Sequence, residues 1–316
     1  MVDTDKVKSP FSRQQRNQLL AWSKFAKESD VLNGYQRKVI YEGGHYNYVF
    51  ISRLNQITDA LRSLRDHLED DEDDLADEIL CCSYVCFLEA KAKEGNTEAQ
   101  YYLGDGLYWG LYRLEEDEPR AATLIEAAAK KGHEEALATI GSWYLHGTVV
   151  EADPKIAVGY LNEAHALGNL DAQMQLAFAF HDGKGVERDD RRAYQLLRDA
   201  AEAGHVQSMG NVGHYLCFSI GVEEDMDEAM EWWNKAAEHN DDFALYSLGR
   251  SFLQGDGIER DAEKAVELFR KAVDFGSLVA KYRLALCLLT GDGCDEDETE
   301  AAELFEQAHW EGNINS

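Results

Sequence analysis

Proline is almost absent, with three residues in a chain of 316. So few breakers leave long stretches free to be helical and exclude extended proline-rich or collagen-like architectures. Basic residues are scarce too: 31 Lys and Arg stand against 60 Asp and Glu, a formal net charge of -29. Such a chain repels nucleic acid and anionic membranes, and it steers in a basic protein partner. The simpler reading of the same excess is solubility. No stretch approaches the roughly eighteen consecutive apolar residues of a membrane span. The opening Met1-Val2-Asp3-Thr4-Asp5-Lys6 lacks the apolar run of a secretory signal. The chain therefore reads as cytoplasmic, unless a leader has been removed.

Catalytic and metal signatures are missing as well. There is no phosphate-loop glycine-lysine motif, no GxSxG elbow and no HExxH. The six cysteines, Cys81, Cys82, Cys86, Cys217, Cys287 and Cys294, form no CxxC pair and no zinc-ligand spacing. Cys81, Cys82 and Cys86 sit in an apolar run and read as small buried hydrophobes. Carboxylate pairs are too numerous for any one to stand out as general acid and base. Non-enzymatic function without metal or cofactor is the expectation. Convergence of His146, His181, Asp182 and His214 on a metal is the weaker alternative.

What the chain has is a repeat. Small residues recur at Ala99, Ala136, Ala172, Ser208, Ala244 and Ala280, at steps of 37, 36, 36, 36 and 36. Five residues later stand Gly104, Gly141, Ala177, Gly213, Gly249 and Ala285; a turn position follows at Gly110, Gly147, Gly183, Ser219, Gly255 and Gly291. Each unit closes on Gly132, Gly168, Gly204, Asn240, Gly276 or Gly312. Glycine or asparagine there suits a helix C-terminus, and the turn glycines suit a tight reversal. Leu161, Leu197, Trp233, Phe269 and Phe305 share one register and read as groove fillers between helices, so the Trp232-Trp233 pair reads as core. A period of this size defines a stack of helix-turn-helix units.

The run Ala172…Gly183-Lys184-Gly185-Val186-Glu187-Arg188-Asp189…Ala193…Ala200-Ala201…Gly204 resembles the Sel-one-like repeat family, a relative of the tetratricopeptide repeats. A second close match runs from Ala244 through Gly255-Asp256-Gly257-Ile258 to Ala272 and Gly276, and the likeness extends over residues 98–312. Unit one lacks the second turn glycine, and unit four has Ser219 for the first. The resemblance implies an all-α fold, a right-handed α/α solenoid with two antiparallel helices per unit. It also implies an adaptor, scaffold or inhibitor, including bacterial immunity proteins.

By the same resemblance the first helix of each unit lines the concave face. The positions concerned are Tyr101, Asp105, Tyr108 and Trp109 in unit one, and Ser142 and His146 in unit two. They continue as Phe178, His181 and Asp182, then His214 and Phe218, then Tyr246, Arg250 and Gln254, then Tyr282, Leu286 and Thr290. These residues do not recur from unit to unit. Packing positions recur because packing demands it, whereas recognition positions are free to differ, and aromatics and arginine favour interface hot spots. The turns carry acids: Glu115, Glu116 and Asp117, then Asp189 and Asp190, Glu223 and Glu224, and Asp261. Stacked, they would form an acidic edge for a cationic partner, or simply a solvated one.

Residues 1–97 read as a helical cap, from Ser12 to Lys27, followed by a degenerate unit; residues 98–316 hold six repeats of about 36 residues. The acidic run Glu69-Asp70-Asp71-Glu72-Asp73-Asp74 would extend the acidic edge. The last unit has no evident cap, so Leu304, Phe305 and Trp310 are expected to be exposed, in a monomer or in a weak homodimer through that repeat. The functional expectation is a protein that binds and neutralises a basic partner such as a secreted toxin. The alternative is a scaffold assembling a signalling, secretion or envelope complex.

Overall fold

A computed structural model of the chain describes residues 85–86 and 88–314, all within one compact unit, Leu61–Ser316. The N-terminal cap helix, the acidic run at 69–74, Cys81, Cys82 and the side chain of Trp310 lie outside the described residues.

The described residues are helical, with no strand. After a helical segment at 88–93 come α1 (Thr97–Tyr108), a 3-10 turn (Leu111–Arg113), α2 (Glu118–Ala129), α3 (Glu134–His146), α4 (Pro154–Leu167), α5 (Leu170–Asp182) and α6 (Asp190–Glu202). Then follow α7 (Val206–Cys217), α8 (Met226–Glu238), α9 (Asp242–Gln254), α10 (Ala262–Asp274), α11 (Leu278–Thr290) and α12 (Glu298–Ile314). Each odd-numbered helix packs on the even-numbered one that follows it, and that one packs on the next unit. This is an α/α solenoid.

Polar residues at fixed places start the helices. Asn96, Asn169 and Asp241 cap α1, α5 and α9: a side-chain oxygen of each accepts the N–H of Ala99, Ala172 or Ala244 at 2.7–2.8 Å. His133 does the same for Ala136 through Nδ1, at 3.3 Å. Every even-numbered helix from α2 to α10 has an aspartate cap, namely Asp117, Asp153, Asp189, Asp225 and Asp261, and Asp297 accepts from the first turn of α12. Such caps satisfy amide donors that have no partner within the helix, at about 1 kcal/mol each.

The core is the seam inside each unit. Trp233 and Phe269 are fully buried, as are Leu161, Leu197 and all the marker residues from Ala99 to Ala280. In unit four, a Cβ placed on Gly213 would stand 2.5 Å from Nε1 of Trp233. The glycine therefore makes the slot the indole fills. The indole N–H donates to the carbonyl of Gly210 at 3.0 Å, which satisfies its one polar group. Trp232 is also buried, so the pair is core.

At the turn of unit four, Ser219 takes the left-handed conformation at φ 55, as the glycines do in other units. Its hydroxyl donates to the carbonyl of Val222 at 3.0 Å, a local bond that offsets the strain. In unit one Tyr112, at φ 58, occupies the place of the second turn glycine, within the 3-10 turn.

Three sequence expectations change. Gly312 falls inside α12 instead of ending it, because one glycine costs a helix only about 1 kcal/mol and does not stop it. Leu304 is buried, because α12 lays it with Ala301 on α11, and Phe305 is half-buried against the same cluster. Cys86 is exposed, since helical spacing turns it away from the buried Leu88 and Ala92.

Candidate partner-binding groove

The odd-numbered helices carry the candidate residues on a face distinct from the seam. None of the candidates is fully buried. Trp109, Phe218 and Tyr282 are 62%, 48% and 50% exposed, unusual for large apolar rings. Tyr101, Asp105, Tyr108, Phe178, His181, His214, Tyr246 and Arg250 are partly exposed, and His146, Asp182 and Gln254 are open to solvent.

Two clusters form. In unit one the Trp109 ring lies 4.7 Å from Tyr108, whose ring is 5.1 Å from Trp143 of the next unit. Burial pushes the Asp105 carboxyl up, opposed by a hydrogen bond with Trp109. Tyr101 stacks on His133 at 4.8 Å, and burial, with the nearby Asp105, pushes its hydroxyl up to about 12.

The second cluster spans units four and five. His214 lies 4.6 Å from Phe218 and 5.7 Å from Phe243. The Arg250 guanidinium sits over the Phe218 ring at 4.9 Å and reaches the Cys217 Sγ through Nη2 at 3.3 Å. Burial pushes the His214 imidazole below its usual range, and the charge of Arg250 pushes the same way. His181 joins this cluster through Tyr215, 5.6 Å away between rings, and is itself held by Asp190 at 2.7 Å.

Other candidates stand apart. His146 turns back on its own helix, with Nδ1 2.9 Å from the Ser142 carbonyl. Asp182 pairs with Lys184 at 3.0 Å. Tyr246 and Tyr282 lean on Phe269 and Phe305 of the even-numbered helices. Among the described residues no three His, Cys, Asp or Glu side chains are grouped to hold a metal ion.

The acidic turns divide by task. Asp117, Asp189 and Asp261 are the helix caps described above, so they recur for the backbone's sake. Asp190 is taken by Arg188 at 2.8 Å and by His181, and the guanidinium holds its carboxyl below the usual range. Glu115, Glu116, Glu223 and Glu224 are exposed and free of such work.

Sequence reasoning missed Trp143 and Tyr215, the inner members of the two clusters. Both stand seven residues after their unit's marker, where Gly106, Ala179, Ser251 and Cys287 stand in other units. That position also fails to recur, and the same test would have found it.

A stack of helix pairs with a buried repeating seam and a varied exposed face defines a helical-repeat binding protein. The Sel1 repeat model matches residues 97–133, 135–169, 170–205, 206–241, 242–276 and 278–308, and the chain belongs to that family. Sel1 repeats are generally protein-interaction scaffolds. No curated protein matches the chain. Among solved structures, c5321, a protective antigen of uropathogenic Escherichia coli with this repeat fold, is 29% identical with a TM-score of 0.60; the match covers 72% of this chain and 49% of that one. The chain thus spans about half the length of that relative. A Sel1 repeat protein from Oxalobacter formigenes is 23% identical with a TM-score of 0.64, over 82% of this chain and 98% of the other. Immunity protein Pa5087 from Pseudomonas aeruginosa is 17% identical with a TM-score of 0.50, over 67% and 82%. The last two likenesses are of fold. No helix among the described residues is long and apolar enough to cross a membrane.

Proposed function

We propose that this chain is a non-enzymatic binding protein that holds a protein partner along the face of its odd-numbered helices and neutralises it. The observation that carries the reading is the contrast of faces. Seam residues recur and are buried, whereas the groove positions vary and leave Trp109, Phe218 and Tyr282 about half exposed or more. Exposed rings on a face that packing leaves free are the kind a partner covers. The partner is basic over most of its surface. A net charge of -29 steers it in, and Glu115, Glu116, Glu223 and Glu224 meet it at the edge. Neutralisation of a toxin is the finer part of the reading. It takes its support from the family's role in protein interaction and from immunity protein Pa5087, which shares the fold.

The test is affinity capture on the full chain at low and moderate salt, beside a Trp109→Ala/Phe178→Ala/Phe218→Ala variant. One dominant basic protein, lost with the variant and inactive when bound, is the expected result. Several partners that keep their activity would replace inhibition with scaffolding. A partner indifferent to the triple variant would place binding on another face.

A further inference from the structure

Arg250 is placed unlike the other arginines with which this acidic chain builds ion pairs. Arg120, Arg188, Arg198, Arg260 and Arg270 each pair with a carboxylate of the protein itself. Arg250 pairs with none among the described residues, although acids outnumber bases 60 to 31. Its Nη2 is spent on the Cys217 sulfur at 3.3 Å, a poor acceptor, and its Nε is buried with no acceptor at all. A buried donor left unmatched is unfavourable for the free protein. The Phe218 ring lies beneath the guanidinium at 4.9 Å and is itself 48% exposed. A guanidinium held over an aromatic ring can still offer a planar fork that matches a carboxylate.

We propose that units four and five anchor the protein partner by an aspartate or glutamate side chain of that partner, taken by Arg250 above the Phe218 ring. This rests on the groove reading given above and makes it specific. A single partner carboxylate meets Arg250, with His214 beside it, while the rest of a basic partner meets the exposed glutamates. A polyanion such as nucleic acid fits poorly, because the same net charge opposes it along its length. The anchor thus supplies register within an association that net charge makes fast but unspecific.

The experiment uses the full chain as bait for a phage-displayed library of random linear peptides. Selected peptides are then synthesised with acetylated and amidated ends, so that no terminal charge remains. Binding is measured by fluorescence anisotropy to the wild type, Arg250→Gln, Arg250→Lys and Phe218→Ala, with thermal melts to confirm that each is folded. Selected peptides are expected to carry Asp or Glu beside an apolar residue. Changing that acid to its amide should weaken binding to the wild type about ten-fold or more, as loss of a charge-assisted pair does. The same change should matter little on Arg250→Gln, and Arg250→Lys should recover part of the difference. Equal affinity of acid and amide peptides for the wild type would overturn the proposal. So would an equal loss on the wild type and on Arg250→Gln, since no coupling would then join the two groups. Acid-indifferent peptides that still lose binding on Phe218→Ala would sink the anchor and leave the groove standing. Peptides that bind Phe218→Ala and the triple variant undiminished, or a library yielding no groove binder, would count against both.

Discussion

Gly213 and His214 are neighbours in the chain and belong to different regimes. Gly213 faces the seam, where a single added carbon would meet the Trp233 indole. His214 lies among Phe218, Phe243 and Arg250, on the face proposed to take the partner. One helical step of about 100° separates a position whose identity packing dictates from one it leaves open. Unit after unit makes the same division along its first helix. Stability and recognition can therefore change nearly independently in this architecture, each unit contributing through contacts with its neighbours alone.

The largest expected effect tests the seam. Trp233→Ala removes a fully buried indole and should cost roughly 3–5 kcal/mol. Because stacking is a nearest-neighbour affair, hydrogen exchange should lose protection first in α7 and α8, with α1 to α3 little changed. Uniform loss along the stack would break the picture of semi-independent units. Gly213→Ala overpacks the same place and should cost about 1–3 kcal/mol by urea denaturation. Unit three already pairs Ala177 with Leu197 in the corresponding positions, both fully buried. The double change Gly213→Ala/Trp233→Leu should therefore be more stable than the sum of the single changes predicts. Strict additivity would mean that the two residues do not share a slot.

A smaller effect separates acids that serve the backbone from acids that serve the surface. Asp225 accepts the Glu228 N–H at 2.9 Å, whereas Glu223, two residues earlier, is exposed. Asp225→Ala should cost about 1 kcal/mol, as loss of a cap does. Glu223→Ala should leave stability within roughly 0.5 kcal/mol. Its effect, if the edge meets a basic partner, belongs in the association rate at low salt.

That pair of carboxylates also marks where sequence stopped being legible. The period alone was enough for helix pairs, seam and turns, because buried small and large residues must recur when identical slots stack. The recurring aspartates were equally visible, but a periodic acid suits a cap and a charged ridge alike. Only the position of the amide hydrogens divides Asp117, Asp189 and Asp261 from Glu115 and Glu223. Arg250 was legible as a candidate recognition residue, yet its lack of a carboxylate was not, since pairing depends on how side chains from adjacent units meet. Tyr215 and Trp143 were passed over because rings at that register read as core, and both are indeed buried, although the failure of the position to recur was visible in the sequence.

On the groove side, Trp109→Ala, Phe178→Ala and Phe218→Ala should each shift stability much less than any seam change while partner binding falls together. A collapse of the fold in any of them would erase the distinction between the two faces.

The smallest effect is in pH. His214 is kept neutral by burial, with the charge of Arg250 adding, so its folded pKa lies below the value of about 6.5 expected in the unfolded chain. Above that value both states hold a neutral ring and pH does not matter. As pH falls through 6.5 the unfolded chain takes up a proton that the folded chain refuses, so the balance moves toward unfolding. The loss grows until pH reaches the folded pKa and stays constant below it. His214→Asn should remove this contribution, and urea midpoints for wild type and variant should run parallel above about pH 7.5 and diverge below 6.5. Arg250→Gln should move the folded pKa upward and narrow the window. A wild-type curve unchanged by either substitution would mean that the imidazole is solvated, and that the cluster over Phe218 is looser than the ring distances imply.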